Sequence, residues 1–464
     1  MNSHVFRSLR LTLRMWLLCC LACVPWMAQA QGGPSIEHWR LANGARVWLV
    51  QSPAIPMVDV QLDFDAGSRR DPAGQSGLSS ALARMMSLGL RARDGAPALD
   101  QNELSEAWAD LGASMGAQSS NDRLSIYLRS LTYSDLLARA AALGARQLAE
   151  PALDAQVWQR ERERWVAALR EAGTRPAVVA SRAFAEAVFG AHPYGRIETE
   201  ATLAAVSVEA MQSLHARSLL PCQARISIVG ALNRAQAEQL VSALLARLPQ
   251  PAPGDARCAP LPEVPEVDAL AQAVERNIPF DSAQAHVLIG QPGIKRNDPD
   301  YFALIVGNYI LGGAGLASRL SAEVREKRGL SYSVYSNFNP GRHAGAFMLG
   351  LQTRPDQAQR AVSVAREVVE RFVREGPTDD ELRAARGNLV GGFALRIDTN
   401  RKLLDNIAAI AWNDLPLDYL RTWTQQVERV SAADIRAAFA RKVQPQRAVT
   451  VVVGAAPLRT GATP

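Results

Sequence analysis

The chain contains one long segment twice. Residues Val206 to Gly230 (VSVEAMQSLHARSLLPCQARISIVG) align without a gap on Val430 to Gly454 (VSAADIRAAFARKVQPQRAVTVVVG), and 8 of the 25 positions are identical, among them Ser207/Ser431, Arg217/Arg441, Pro221/Pro445 and Gly230/Gly454. The fronts of the two halves agree as well. Gly67 and Asp71-Pro72 reappear as Gly293 and Asp298-Pro299 at nearly the same offset. Such a duplication limits the fold severely, because whatever the first half builds the second must build again, each unit burying its own core. A single hydrophobic core stops growing at roughly 250–300 residues, so one core is not expected here.

Each unit reads as a strand, an Asp-Pro turn, long helices, and a closing helix followed by a strand. Val58-Asp59-Val60-Gln61-Leu62-Asp63-Phe64 alternates with period two, as a half-buried strand does. Ser207 and Ser431 are N-cap candidates for the closing helices, since a hydroxyl there accepts an exposed backbone N–H. Pro221 and Pro445 separate those helices from the β-branched runs Ile226–Val229 and Val449–Val453. The proline-rich stretch Leu248 to Glu275 reads as a surface linker. The expected plan is a leader over 1–30, a first domain over 31–248, a linker over 249–275 and a second domain over 276–464. The fold class is α+β: two duplicated domains, each a mainly antiparallel sheet with helices on one face.

Arg7, Arg10 and Arg14 precede an apolar stretch from Met15 to Ala28, and Ala28-Gln29-Ala30 forms a small-x-small cleavage site. These are the parts of a secretory signal peptide, which would leave a mature chain starting near Gln31. The apolar stretch contains Pro25 and falls short of the roughly 20 residues that span a bilayer, so stable membrane insertion is not expected. None of Cys19, Cys20 and Cys23 has Leu at −3 together with a small residue at −1, as a lipid-attachment site does. Removing the leader lowers the net charge from +6 to +3. The remaining basic residues alternate with acids, as in Arg160-Glu161-Arg162-Glu163-Arg164, the pattern of a solvated helix face, which argues against nucleic acid as a partner. Cys222 and Cys258 outlast cleavage; in an oxidising compartment they can pair, and the sequence leaves both the bonded and the free state open.

The segment Gly77-Leu78-Ser79-Ser80-Ala81-Leu82-Ala83-Arg84-Met85 opens the first long helix, with Leu78, Leu82 and Met85 on its buried stripe. Together with the duplicated plan it resembles the insulinase/pitrilysin metallopeptidase family, which includes the mitochondrial processing peptidases and bacterial two-chain relatives. Active members carry G-L-x-H-x-x-E-H there: two His one turn apart bind zinc and the Glu activates water. Ser80, Ala83 and Arg84 occupy those three positions, so the resemblance implies a degenerate zinc site and no metal in this chain. No pair among His4, His38, His192, His215, His286 and His343 has the i, i+3 or i+4 spacing that would replace it. His192-Pro193-Tyr194-Gly195 resembles a structural turn of the family, and His286 reads as a core or edge residue.

The family's third zinc ligand is a Glu in a later charged helix, and Glu161, 77 positions after Arg84, stands in its place. Glu161 shares a helical stripe with Val157, Trp165 and Ala168, and an acid on such a stripe needs a partner. Two partners are open: the Arg84 guanidinium in the space of the zinc, or Arg164 one turn later.

In the second half, Glu323-Val324-Arg325-Glu326-Lys327-Arg328-Gly329-Leu330-Ser331-Tyr332-Ser333-Val334-Tyr335 resembles the family's R-E-K-x-G-L-x-Y-S segment. The resemblance implies that Arg325 and Tyr332 hydrogen-bond a substrate carbonyl and the oxyanion that forms when water attacks it. A cation and a phenol aimed at growing negative charge stabilise the transition state more than the substrate. On spacing alone Arg325 is a surface charge and Tyr332 a sheet residue; the motif favours a functional pair, and the seven-residue spacing selects Arg325 over Arg328. Leu311–Leu316 (LGGAGL) resembles the flexible loop near the family's substrate entrance and lacks the Gly-Lys-Ser/Thr of a phosphate cradle.

The resemblance runs from Ile36 to Gly454. It implies the non-metal subunit of a heterodimeric zinc peptidase, periplasmic, with zinc in a partner that carries H-x-x-E-H and with a peptide substrate added to a sheet edge. The second reading is a non-catalytic peptide-binding or assembly protein. Hydrolysis through Ser80 alone is disfavoured, because no base lies near it in sequence and a helix is the wrong setting for a nucleophile elbow.

Overall fold

Two sheets carry the chain in the computed structural model, which describes residues 33–250 and 258–454. The expected leader falls outside the described residues. The first sheet is built from β1 (Glu37–Arg40), β2 (Arg46–Gln51), β3 (Met57–Phe64), β4 (Ser114–Ser119), β5 (Leu124–Leu131) and β6 (Arg225–Gly230), in the order β1-β2-β6-β3-β5-β4. The second uses β7 (Val274–Ile278), β8 (Ala285–Pro292), β9 (Val334–Phe338), β10 (Ala346–Thr353) and β11 (Val449–Val453), in the order β7-β11-β8-β10-β9. With β1 set aside the two orders are the same. Each also has a single parallel pair at the equivalent place, β2 with β6 and β7 with β11, and antiparallel pairs elsewhere.

The duplicated segments become the closing helix and central strand of each unit. The Ser207 hydroxyl accepts from the Ala210 amide at 3.1 Å and starts the helix Val208–Ser218; the Ser431 hydroxyl accepts from the Asp434 amide at 3.1 Å and starts Ala432–Lys442. Both helices lead into strands buried along their whole length, β6 and β11.

Each half lays its own helices on one face of its sheet and fills the space with its own apolar side chains. The opposite face is covered by exchange. The helix Asn400–Trp412 of the second half packs Leu404, Ile407 and Ile410 against Trp48, Val50 and Val229 of the first sheet. In return the helix Pro176–Phe189 packs Ala180, Phe184 and Val188 against Leu288, Val449 and Val451 of the second. β3 is therefore buried on both faces, not half-buried as its alternation predicts. Its polar residues are satisfied underneath the exchanged helix: Asp59 accepts from Arg129 Nε at 2.7 Å, and Asp63 from Arg123 at 2.9 Å and from the Ser125 hydroxyl at 2.5 Å. Paired in this way, buried carboxylates remain tolerable.

The segment from Cys258 to Ala273 runs without helix or strand and is mostly exposed, while Val274 and Glu275 already belong to β7. Cys222 and Cys258 are joined by a disulfide, with Cα atoms 5.6 Å apart. His192-Pro193-Tyr194-Gly195 forms a tight turn in which His192 Nδ1 accepts from the Tyr194 amide at 3.1 Å. The Tyr194 hydroxyl donates to Asp122 at 2.5 Å and accepts from the His343 amide at 3.2 Å, which ties the two halves together. His286 lies on β8, partly buried. No helix among the described residues is long and apolar enough to cross a membrane.

Candidate functional site

The helix Leu78–Met85 presents the first candidate site. Gly77, at φ +104°, turns the chain into it, and the buried Asp71 carboxylate accepts from the Gly77 and Ser79 amides, both at 3.0 Å. Burial nevertheless pushes the Asp71 carboxyl up to about 6, against those hydrogen bonds and with help from the nearby charge of Glu198. Leu78, Leu82 and Met85 face the core as their spacing predicts. Ala83 does too, its methyl group inside the apolar cluster where the resemblance expects a water-activating Glu.

Ser80 and Arg84 lie one turn apart on the outer side. Arg84 Nη1 donates to Glu161 Oε2 at 3.2 Å, and Arg164 Nη1 donates to Glu161 Oε1 at 2.7 Å. The two partners open at the level of sequence are thus both engaged, one on each carboxylate oxygen. Glu161 is 7% exposed in its side chain, whereas Arg84 is 46% exposed and stacks its guanidinium 5.3 Å from the Trp165 ring centroid. An opposite charge and an aromatic face hold the guanidinium where the family pattern expects a metal.

A cavity of about 330 Å³ opens beside this pair, lined by Ser80, Ser119, Arg182, Arg196 and Glu198 among others. Glu198 went unnoticed in the sequence, where it sits in an irregular stretch with no periodicity to mark it. Burial raises its pKa, opposed by a hydrogen bond from Ser80 and by the charges of Arg182 and Arg84. These residues do not fit a zinc ion: Ser80, Ala83 and Arg84 supply no ligand set, and the Glu161 oxygens are committed to two guanidiniums. Among the described residues no group of three or more His, Cys, Asp or Glu side chains is placed to hold a metal.

The second site is on the other half and is open. Arg325 lies in a widened helical turn, Ser321–Glu326, of the kind often found at functional positions. Gly329, at φ +61°, reverses the chain, and Tyr332 follows in the loop before β9 rather than within the sheet. Tyr332 is 81% exposed, and the Arg325 guanidinium carbon stands 4.5 Å from its ring centroid. Arg328 and Lys327 are both bound to Glu323, at 2.5 Å and 2.8 Å, and these hydrogen bonds, Lys327 first, hold the Glu323 carboxyl down at about 2. Arg325 makes no ion pair among the described residues. Of the three neighbouring cations it is the one left available. Leu316, 59% exposed, and Tyr335, 41% exposed, lie on the same stretch of chain on either side.

Two family models match the sequence: insulinase (peptidase family M16) over residues 46–200 and peptidase M16 inactive domain over residues 205–389. A Streptomyces coelicolor protein described as an uncharacterized zinc protease is 26% identical over 426 residues, covering 90% of each chain. A Helicobacter pylori protein described as a non-peptidase homolog is 32% identical over 177 residues, 37% of this chain and 40% of that one. Among solved structures, a peptidase M16 inactive domain from Pseudomonas fluorescens superposes with a TM-score of 0.84 at 28% identity, covering 92% of this chain and all of that one. A protease from Helicobacter pylori superposes with a TM-score of 0.80 at 18% identity. The chain belongs to peptidase family M16, the insulinase family.

Proposed function

We propose that this chain is the non-metal subunit of a heterodimeric zinc peptidase in a bacterial envelope, held in the periplasm after export by its first thirty residues. A partner carrying H-x-x-E-H supplies the zinc centre. This chain supplies Arg325 and Tyr332, which bind the substrate carbonyl and stabilise the oxyanion formed from it. The observation that carries this reading is the Arg325–Tyr332 pair itself, stacked at 4.5 Å, with Tyr332 exposed and Arg325 without an ion pair among the described residues, on a chain whose expected metal-ligand positions hold Ser80 and Arg84. Donors directed at developing charge do their work only when a reacting group is brought to them. The substrate is an extended peptide, and the edge strands β4 and β9 offer unpaired backbone to which such a peptide adds. Main-chain pairing of this kind reads little sequence, so cleavage is weakly specific.

The Helicobacter pylori relative described as a non-peptidase homolog favours a second reading, a peptide-binding or assembly protein without catalysis. One experiment separates the two. This chain, a family member with H-x-x-E-H encoded beside it, and their mixture are assayed with zinc on an unstructured peptide. Activity in the mixture alone supports the split enzyme. Activity from this chain alone overturns it, and a stable complex without activity supports the second reading.

A further inference from the structure

A cavity of about 460 Å³ shares no lining residue with either site and lies where the two halves meet the segment after Cys258. Trp412, 5% exposed and the last residue of the exchanged helix Asn400–Trp412, forms part of its wall. The guanidinium carbons of Arg225 and Arg342 stand 5.4 and 6.0 Å from the Trp412 ring centroid, and Arg46 completes the lining on that side.

The charges around this cavity do not balance. Arg69 and Arg70 are neutralised by Asp65, and Arg69 also by Asp122. Arg46 and Arg225 share the single carboxylate of Asp414, at 3.3 and 2.9 Å. Arg342 has no carboxylate partner among the described residues; only its backbone amide is engaged, on Asp122 at 2.9 Å. Three guanidiniums therefore meet one carboxylate. Burial and the positive charges of Arg225, Arg40 and Arg342 lower the Arg46 pKa against the pull of Asp414, which is what crowded like charge does. The remaining acid, Glu263, is exposed on the linker.

Two buried groups also stand without a partner: the Trp412 indole N–H and the side-chain oxygen of Gln223. A side-chain amide turned by half a revolution offers its NH2 instead, so Gln223 can serve as a donor. Cys222, next to Gln223, is bonded to Cys258, and this fixes the start of the linker that closes the cavity from Ala259 to Val264.

We propose that this cavity is a binding site for a small phosphorylated anion, its phosphate held by Arg342 and Arg46, while Arg225, whose guanidinium already donates to Asp414 and to the Ala411 and Trp412 carbonyls, adds positive charge to the wall. Planar guanidinium forks such as that of Arg342 match phosphate oxygens two at a time, and the positive excess that remains after Asp414 and Glu263 are counted suits an anion. Because the ligand would touch β2, β6, the β9–β10 turn and the linker at once, it would clamp the two halves together.

Isothermal titration of the purified, oxidised full chain with inorganic pyrophosphate at low salt tests this. We expect one saturable site per chain, weakened at least about tenfold by Arg342→Gln and by Arg46→Gln, and unchanged by Arg374→Gln, whose guanidinium pairs only with its neighbour Glu375. Arg342 is exposed in a turn, so its variant folds even where Arg46→Gln does not. Absence of a saturable site, or equal affinity in wild type and Arg342→Gln, overturns the proposal. So does a peptide C-terminal carboxylate that binds more tightly than pyrophosphate.

Discussion

The two candidate sites are opposites in how their charges are satisfied. On the first half, Arg84 and Glu161 complete each other, with Arg164 and Trp165 closing the arrangement, and Glu161 is almost entirely buried. On the second half, the half-buried Arg325 lies over the ring of the exposed Tyr332, and neither side chain makes an ion pair or a side-chain hydrogen bond among the described residues. A group satisfied within its own chain contributes to stability and has little left for a ligand. A donor pair left unsatisfied contributes little to stability and is free to bind. On the proposed function the missing metal centre is a local change, and the wall that handles substrate charge stands on the other half.

The contrast predicts different consequences for substitutions at each place. The largest effect belongs to the open site: in the active mixture, Arg325→Ala or Tyr332→Phe should lower kcat/KM by about 10²–10³, while thermal unfolding of this chain moves by less than about 0.5 kcal/mol. A matching loss of stability would show that the pair is structural. At the closed site Glu161→Gln should cost about 2 kcal/mol in denaturant unfolding, because two guanidiniums then face a neutral amide, with activity of the mixture retained. A severe loss of activity would place Glu161 in the reaction and erase the contrast.

Asp71, which holds the helix carrying Ser80 and Arg84, gives a pH signature. Its folded pKa of about 6 lies above the value of roughly 4 in an unfolded chain. The folded state therefore binds that proton more tightly, so the contribution is fully present below pH 4 and is lost as pH rises through 6. Relative to Asp71→Asn, the wild type should lose about 1–2 kcal/mol between pH 4 and pH 7; parallel stability curves would remove the titration from Asp71. The smallest effect is Arg84→Ala, below about 1 kcal/mol, since Arg84 is half exposed and Arg164 still serves Glu161.

Much of the fold was legible because duplication, capping and periodicity are local signals. Ser207 and Ser431 cap the helices they were expected to cap, and the runs Ile226–Val229 and Val449–Val453 lie in β6 and β11. The exchange of Asn400–Trp412 and Pro176–Phe189 was not legible, since an apolar stripe announces that a helix will be covered without saying by which sheet. For the same reason Asp59 and Asp63 read as solvent-facing, although they pair with Arg129 and Arg123 under a helix from the other half. At the first site Arg84 and Glu161 were visible through the family resemblance, and Glu198 was not. The cationic cavity is a stronger case: Arg46, Arg225 and Arg342 come from three distant stretches that only the tertiary fold assembles.

The most direct test of the contrast compares the tetrahedral and ground states of a single ligand. A phosphinic peptide, whose charged oxygens imitate the oxyanion, and the matching substrate peptide are bound to the reconstituted mixture, with wild-type chain and with Arg325→Ala. The substitution should weaken the phosphinic peptide by about 100-fold and the substrate by less than about threefold. Equal losses for the two ligands would contradict it, because Arg325 would then be gripping the peptide without favouring the transition state.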